Sequence, residues 1–319
     1  MLGFLAKTAS SVALLAGLAM ATACSSPPAQ TPATVEPFIE TLAVQAPQEL
    51  PPIKGPKSAS GYQAILGTPD LGLGPNRIGF VLTSPKGIVK TPTAAVSSVH
   101  VPADGSAAQT VETATAEFHL WPYGTRGLYV TSLDFDRAGA WRLDIAVGTA
   151  EGVTEVVQVS FEVRESPLAP AVGAKALRSV NRTARDVQRL TQITTGTLLD
   201  AELYQTTIAD AVASGRPTVV VFASPAFCAT EVCGPQVDVL KELKERYKGQ
   251  ANFIHVDFYD NPEEIQGDLS RAVLSPVIAE WRLPSIEWTF VIDKGGVIVG
   301  RFEAFATVEE LDAALRRVF

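Results

Sequence analysis

The sequence predicts two folded parts of different class, an all-β sandwich followed by an α/β domain. Short apolar runs between residues 62 and 163 alternate with Gly, Pro, Asn and Asp, as expected for short strands and turns. Between residues 199 and 319, strand-like runs alternate with helical patterns, which favours a sheet covered by helices. An Arg- and Ala-rich connector, residues 166–198, separates the two parts.

Residues 1–23 have the features of an export signal. One cation, Lys7, precedes an apolar run that is too short to span a bilayer. The segment Ala21-Thr22-Ala23-Cys24 resembles a bacterial lipobox, with alanine where leucine is usual. The resemblance implies that Cys24 is acylated and that the protein is lipid-anchored on the extracytoplasmic side of a membrane. Secretion with Cys24 removed or left free is the alternative, and both place the chain in an oxidising compartment.

The composition limits the partners of the chain. It has 319 residues, 46% of them hydrophobic, and its net charge of −8 becomes −9 when Lys7 is removed with the signal. An acidic chain has no electrostatic footprint for nucleic acid, so we expect no nucleic-acid partner. The sequence also predicts no cofactor.

Residues 24–59 are predicted to be a disordered tether between the lipid and the folded part. Residues 25–59 hold eight of the 22 prolines, with Ser, Thr, Ala and Gln between them and no apolar period.

Residues 60–165 are predicted to form an antiparallel sandwich. Residues 141–147 alternate so that one face is apolar and the other mixed. The segment 127–145 is similar to strand pairs of small immunoglobulin-like modules in exported bacterial proteins, some of which handle copper. Its two histidines, His100 and His119, have no Cys or Met to complete a ligand set, so no metal site is predicted.

The connector, residues 166–198, is predicted to contain a helix. Four arginines at spacings of four, three and four residues would line one helix face: Arg178, Arg182, Arg185 and Arg189. We interpret this face as solvated, with contact to anionic lipid or a partner as the alternative.

Residues 199–319 are predicted to alternate strands and helices. The predicted helices are 208–214, 235–247 and 308–318, with a looser helical stretch before residue 280, and the predicted strands are 218–223, 252–258, 288–293 and 297–302. A Lys294-Gly295-Gly296 turn joins the last two strands as a hairpin.

These residues resemble the thioredoxin-like superfamily, in particular its exported TlpA-like branch. Cys228 follows the central strand at about the distance of that family's first active-site cysteine, and Pro235 stands near the family's helix kink. Pro284 precedes a strand at the place where the family keeps a cis-proline facing the thiols. Residues 289–299 look like the strand, turn and strand of the branch. The resemblance implies a thiol–disulfide oxidoreductase that exchanges with protein thiols and disulfides.

The cysteine spacing departs from that family, being Cys-x4-Cys instead of Cys-x2-Cys. Residues five apart in an α-helix have Cα atoms about 8.6 Å apart, whereas a disulfide needs about 4.4 to 6.8 Å. The backbone between the cysteines must therefore unwind when the sulfurs join, and Gly234 and Pro235 make this easier. We expect oxidation to melt one helical turn and reduction to re-form it.

Cys228 is the predicted nucleophile. If Ser224 caps the helix, Cys228 lies in the first turn, where free N–H groups favour the thiolate, and Cys233 resolves the mixed disulfide. The rival assignment takes Cys233-Gly-Pro-Gln as the family's Cys-Gly-Pro-Cys with its second cysteine lost.

Two other functions stay open. The Cys-x4-Cys motif is similar to that of Q-type peroxiredoxins, which implies a thiol peroxidase. That family has a threonine and an arginine where this chain has Pro225 and Glu287. Loss of these two hydrogen-bond donors argues against the peroxidase hypothesis. A non-catalytic lipoprotein binding module with a structural disulfide is the other alternative, because an exported compartment also favours plain structural disulfides.

Overall fold

Two β-sheets make up most of the regular structure of the protein. The computed structural model describes residues 49–122, 124–148, 152, 154–228 and 232–319. Both sheets belong to one unit of the chain. The predicted signal, Cys24 and most of the predicted tether lie outside the described residues.

The first nine strands form one antiparallel sheet, here called the larger sheet. Their bounds are β1 Ile53–Lys54, β2 Gln63–Leu66, β3 Gly74–Ser84, β4 Gly87–Ile88, β5 Thr93–His100, β6 Gln109–Leu120, β7 Gly127–Phe135, β8 Gly139–Gly148 and β9 Thr154–Val163. The order across the sheet is β1-β2-β3-β7-β6-β5-β8-β9, with β4 beside β3. The two ends of the sheet meet, because Ser58 donates a hydrogen bond of 2.8 Å to Glu155 on β9. The sheet is therefore nearly closed, like a barrel.

The predicted immunoglobulin-like sandwich is wrong. A sandwich consists of two separate sheets packed face to face, whereas these strands form one continuous sheet around one core. Trp141, Phe135 and Tyr129 are fully buried in that core. The alternation of apolar and polar residues fits both architectures, because it requires only that one face of each strand is buried.

The second sheet, here called the smaller sheet, has four strands. They are β10 Thr218–Phe222, β11 Asn252–Val256, β12 Trp288–Ile292 and β13 Ile298–Glu303, in the order β11-β10-β12-β13. β10 runs parallel to β11, and the β10–β12 and β12–β13 pairs are antiparallel. The helices are α1 Ile208–Ala213, α2 Cys233–Arg246, α3 Pro262–Ile265, α4 Pro276–Glu280 and α5 Val308–Arg316. Core residues cover both faces of this sheet.

The predicted α/β thioredoxin-like class is also wrong, because the described chain is mostly β and its helices are short. α1, α3 and α4 have six, four and five residues. The predicted helical stretch before residue 280 is interrupted where Gln266 takes a left-handed backbone with φ of 48°, which ends α3. The sequence pattern showed helical periodicity there but not this break.

The two segments that were predicted to be irregular or helical also differ from expectation. The tether was expected to reach residue 59, yet β1 begins at Ile53 and pairs with β2. Its two residues need only one partner strand at the sheet edge, so the surrounding prolines do not prevent pairing. In the connector, regular structure is limited to a 3-10 turn, Leu190–Gln192, so the expected arginine-lined helix is absent from residues 166–198.

A buried ion pair joins the two sheets. Asp70, which follows β2, is fully buried and is hydrogen-bonded to Arg301 on β13. The same carboxylate accepts the backbone N–H groups of Leu168 and Ala169 at 2.8 and 2.9 Å. The carboxylate of Asp70 thus binds both β13 of the smaller sheet and the connector, and it holds the connector against the junction of the two sheets.

Candidate redox site

The two cysteines of the motif form a disulfide at the start of α2. Cys228 and Cys233 have Cα atoms 5.9 Å apart, which is inside the range that a disulfide requires. α2 begins at Cys233, and the residue before it, Val232, makes no side-chain cap. The expectation that Ser224 caps the helix and puts Cys228 in its first turn is therefore wrong. Residues 229–231 lie outside the described chain, and the re-forming of a helical turn on reduction stays a prediction.

The N-terminus of α2 still interacts with Cys228, although Cys228 lies outside the helix and precedes it in the chain. The backbone N–H of Cys233 points at the sulfur of Cys228, with 3.3 Å between N and Sγ. α2 is 14 residues long, and the free N–H groups at a helix start favour negative charge. A Cys228 thiolate would therefore be stabilised from outside the helix.

The two cysteines differ in burial. Cys233 is fully buried, whereas Cys228 is half-buried. A thiol of a partner can reach only a sulfur that is open to it, and the thiolate of the buried cysteine is then the leaving group. This asymmetry favours Cys228 as the sulfur that exchanges and Cys233 as the resolving one.

A buried carboxyl group lies beside the disulfide. Glu287 directly precedes β12, is 4% exposed, and its Oε1 atom has no hydrogen-bond partner in the described part of the chain. One of its oxygens and the two sulfurs all lie within 4.8 Å of one another. Burial raises the pKa of Glu287 to about 8, against a smaller lowering by the charge of Arg77. At neutral pH Glu287 is therefore largely a neutral acid that can give or take a proton at the disulfide.

The sequence did not identify Glu287 as part of the site. In the sequence it stands at the place of the arginine of Q-type peroxiredoxins. A single glutamate next to an apolar strand carries no motif, and its distance from the cysteines, more than fifty positions along the chain, hides the contact. The buried position between Ile286 and Trp288 was the one available signal.

A cavity of 580 Å³ adjoins the disulfide. Residues next to each cysteine, Phe227 and Val232, line it, as does Glu287. The wall otherwise comes from residues that follow β2 and β6 of the larger sheet, from the end of β13 and from loops around the smaller sheet, and includes Trp121, Tyr259, Leu283, Pro284 and Glu303. The volume lies in the range of small-molecule and side-chain binding sites.

Pro284 lies in the wall of this cavity. Its carbonyl oxygen accepts the backbone N–H of Leu50 at 3.0 Å. Of the aromatic residues near the motif, Phe227 and Tyr259 also line the cavity, whereas Trp281 and Trp288 are fully buried core residues.

A hydrogen-bond network holds the turn that carries Cys228. The hydroxyl of Thr195 donates to the buried carboxylate of Asp257 at 2.8 Å. The hydroxyl oxygen of Thr195 also accepts the backbone N–H of Ala226 at 3.2 Å and lies 3.1 Å from the hydroxyl oxygen of Ser224. Burial raises the pKa of Asp257, partly offset by its neighbour His255 and by its hydrogen bonds. Thr195 therefore links the connector, β11 and the cysteine turn.

None of the three histidines belongs to the cluster of Cys228, Cys233 and Glu287. His255 on β11 is buried and hydrogen-bonded to Tyr204 at 2.7 Å and to the carbonyl of Ala223 at 3.0 Å, which confirms it as a satisfied sheet residue. Burial lowers its pKa. His100 and His119 lie on β5 and β6.

Cys228, Cys233 and Glu287 are the one group of three potential metal donors in the part of the chain that the structure describes. Thiolates, not disulfide sulfurs, bind metal ions. The bonded pair is therefore not a metal-binding set.

A scan of protein-family models and a search of curated proteins found no match to this chain.

Proposed function

We propose that the protein is a membrane-anchored, extracytoplasmic thiol–disulfide oxidoreductase that exchanges the Cys228–Cys233 disulfide with partner proteins. The observation that carries the proposal is one disulfide between a half-buried and a fully buried cysteine, beside a buried carboxyl group whose Oε1 atom has no hydrogen-bond partner in the described chain. A staple that only closes a short loop needs neither an asymmetric pair nor a costly buried carboxyl group.

The exchange follows from the positions of these groups. A partner thiolate attacks the sulfur of Cys228, a mixed disulfide forms, and the sulfur of Cys233 leaves with the electron pair of the broken bond. Glu287 gives its proton to that sulfur, so no thiolate has to remain in the buried position. A second thiolate of the same partner then attacks the partner's sulfur in the mixed disulfide, which forms the partner's disulfide and releases Cys228 as a thiolate. The partner loses two electrons, which the protein holds in its two reduced cysteines, and Glu287 regains its proton from water. Reduction of a partner is the same sequence reversed.

Two features support the compartment and the anchor. Disulfides form and persist in oxidising compartments, and this chain has one. The export-signal pattern that ends at Cys24 supports lipid attachment at that cysteine. In the described residues, no helix has the length and apolar character needed to cross a bilayer. Replacement of Cys24 by Ser should release the protein from the membrane fraction, and continued membrane attachment would argue against the lipid.

The reduction potential of the pair, combined with trapping, tests the redox proposal. Cys233→Ser should accumulate mixed disulfides with partner proteins that dithiothreitol releases, and Cys228→Ser is the matched control that should accumulate none. A potential below about −300 mV together with no trapped partner would identify a structural staple instead.

A further inference from the structure

Reduction of the disulfide turns three clustered side chains into potential metal ligands. One carboxylate oxygen of Glu287 and the sulfurs of Cys228 and Cys233 all lie within 4.8 Å of one another. Donors that share a tetrahedral Zn²⁺ are about 3.6 to 3.8 Å apart, given bonds of about 2.3 Å to sulfur and about 2.1 Å to oxygen. The carboxylate oxygen therefore has to approach by about 1 Å at most, and the sulfurs have to separate once their bond is broken.

The three donors are carried by segments that other contacts hold in place. Glu287 directly precedes β12, and its carbonyl oxygen accepts the backbone N–H of Ala304 at 3.1 Å. Cys233 is the first residue of α2. Cys228 is half-buried, so its side chain has room to turn when the bond opens, and the turn that carries it is held by Thr195. Donors on fixed elements bind an ion without a large ordering cost.

The surroundings of the cluster suit bound thiolates and a bound carboxylate. The backbone N–H of Cys233, 3.3 Å from the sulfur of Cys228, would donate to a metal-bound thiolate, as outer-shell donors of metal sites do. The Oε1 atom of Glu287 has no hydrogen-bond partner in the described part of the chain, so coordination breaks no hydrogen bond of that atom. Because Cys233 and Glu287 are buried, two thiolates and a carboxylate here also require a cation to balance their charge.

The kinds of donor atom select among cations. Zn²⁺ accepts both sulfur and oxygen ligands, whereas Cu⁺ prefers sulfur and Mg²⁺ and Ca²⁺ prefer oxygen. A zinc site with three protein ligands has a fourth position for water. Solvent can supply that water on the side of Cys228, which is half-buried.

We propose that the reduced protein binds one Zn²⁺ ion through Cys228, Cys233 and Glu287, and that oxidation of the cysteines releases the ion. A partner dithiol reduces the sulfur–sulfur bond, two Zn–S bonds and one Zn–O bond form, and the protons of the thiols and of the carboxyl group pass to water. A partner disulfide reverses the sequence, because it takes two electrons from the thiolates and leaves the ion with one protein ligand. The opening of the bond by partners rests on the proposed function, whereas the ligand set does not.

Metal titrations of the full chain test the site. Cys24→Ser leaves Cys228 and Cys233 as the only cysteines, and reduction with a phosphine under argon, followed by desalting, gives the dithiol. The probe is Co²⁺, whose charge-transfer bands report thiolate ligands and whose visible bands report tetrahedral geometry. Displacement of Co²⁺ by Zn²⁺ then gives the zinc affinity. We expect one ion per chain in the reduced protein and none in the oxidised protein.

A matched pair of variants tests the carboxylate ligand. Glu287→Gln keeps the size of the side chain and removes the charged donor, and should weaken Zn²⁺ binding by at least about tenfold, because even outer-shell partners of a metal contribute that much. Glu117→Gln on an exposed part of β6 should bind like the parent protein. Circular dichroism checks that each variant is folded. Equal zinc affinities in the folded Glu287→Gln variant and the parent would overturn the inference.

The reduction potential gives a second measurement of the same linkage. An ion that binds only the dithiol should raise the midpoint potential by about 30 mV for every tenfold rise in free Zn²⁺ above its Kd. A potential that is independent of zinc, with no charge-transfer band in the reduced protein, would overturn the inference, and partners trapped on Cys233→Ser would then still support the proposed function. Zinc binding without any trapped partner would instead support the zinc site and remove the proposed function.

Discussion

An oxygen of the Glu287 carboxyl group and the sulfur of Cys233 lie within 4.8 Å of each other, and both residues are buried. An uncharged acid can remain at such a place at modest cost, whereas a carboxylate beside a thiolate cannot. The contact therefore couples the proton of Glu287 to the redox state of the sulfurs.

The rate of disulfide exchange should depend on Glu287. In Glu287→Gln the leaving sulfur of Cys233 has no proton donor, so we expect exchange of the oxidised protein with a dithiol at pH 7 to slow about 100-fold. Because the thiolate fraction of the dithiol rises with pH for both proteins, stopped-flow measurements from pH 5 to 9 should show the rate advantage of the wild type over the variant shrinking as Glu287 loses its proton near pH 8. Glu117→Gln, on an exposed part of β6, is the control. Identical profiles for all three proteins would exclude proton transfer by Glu287.

The stability of the oxidised protein should depend on pH through the same group. The pKa of Glu287 is about 8 in the folded chain and about 4.5 without burial. The folded state holds this proton between those values and the unfolded state does not, so the stabilisation is complete below about pH 4.5 and is lost as pH rises toward 8. Relative to Glu287→Gln, the free energy of unfolding should fall by at most about 1.4 kcal/mol per pH unit in that window. Urea titrations of both proteins at pH 5, 6.5 and 8 measure this difference in the free energy of unfolding. A difference that is the same at all three pH values would contradict the prediction.

The two sulfurs should differ in reactivity after reduction. In a Cys24→Ser background, iodoacetamide at pH 7 should label Cys228 about tenfold or more faster than Cys233, because the first is half-buried beside a helix N-terminus and the second is fully buried. Peptide mass spectrometry after short labelling gives the ratio. Equal labelling of both positions, or preferential labelling of Cys233, would reverse the assigned roles.

Loss of the Thr195 hydroxyl should loosen the cysteine turn. Thr195→Val leaves the N–H of Ala226 without its acceptor and removes a donor from the buried Asp257. We expect the protection of the Ala226 amide from hydrogen–deuterium exchange to fall about tenfold. Thr197→Val, two residues away and exposed, is the matched control and should have no effect on that amide. Unchanged protection in Thr195→Val would show that the turn is held by other contacts.

The buried pair between the sheets should be sensitive to loss of one partner. Asp70→Asn removes the hydrogen-bonded counter-charge of the buried Arg301 guanidinium, and we expect about 3 to 5 kcal/mol of destabilisation in denaturant titrations. Asp136→Asn breaks an exposed pair with Arg137 and should cost less than about 1 kcal/mol. Equal effects of the two substitutions would mean that the pair at the sheet junction is not desolvated.

Local patterns in the chain were informative where neighbouring residues decide the outcome. The strands predicted at 218–223 and 252–258 lie close to β10 and β11, and the terminal helix predicted at 308–318 closely matches α5. Continuous apolar runs and a capping Thr307 with Glu310 are short-range signals that do not depend on distant contacts. The spacing of Cys228 and Cys233 likewise showed that an unbroken helix could not contain their bond.

The architecture depends on contacts between residues that are far apart in the chain. One nearly closed sheet and two facing sheets have the same alternation, and only the pairing of β9 with β8 and its approach to the first strands distinguishes them. A strand pattern records which face is buried but not against what it is buried, so both predicted fold classes failed. The same reasoning applies to the site. The cysteines could be found in the chain, whereas the desolvated acid of Glu287 and the indole of Trp121 reach the disulfide region only because distant segments pack around one cavity.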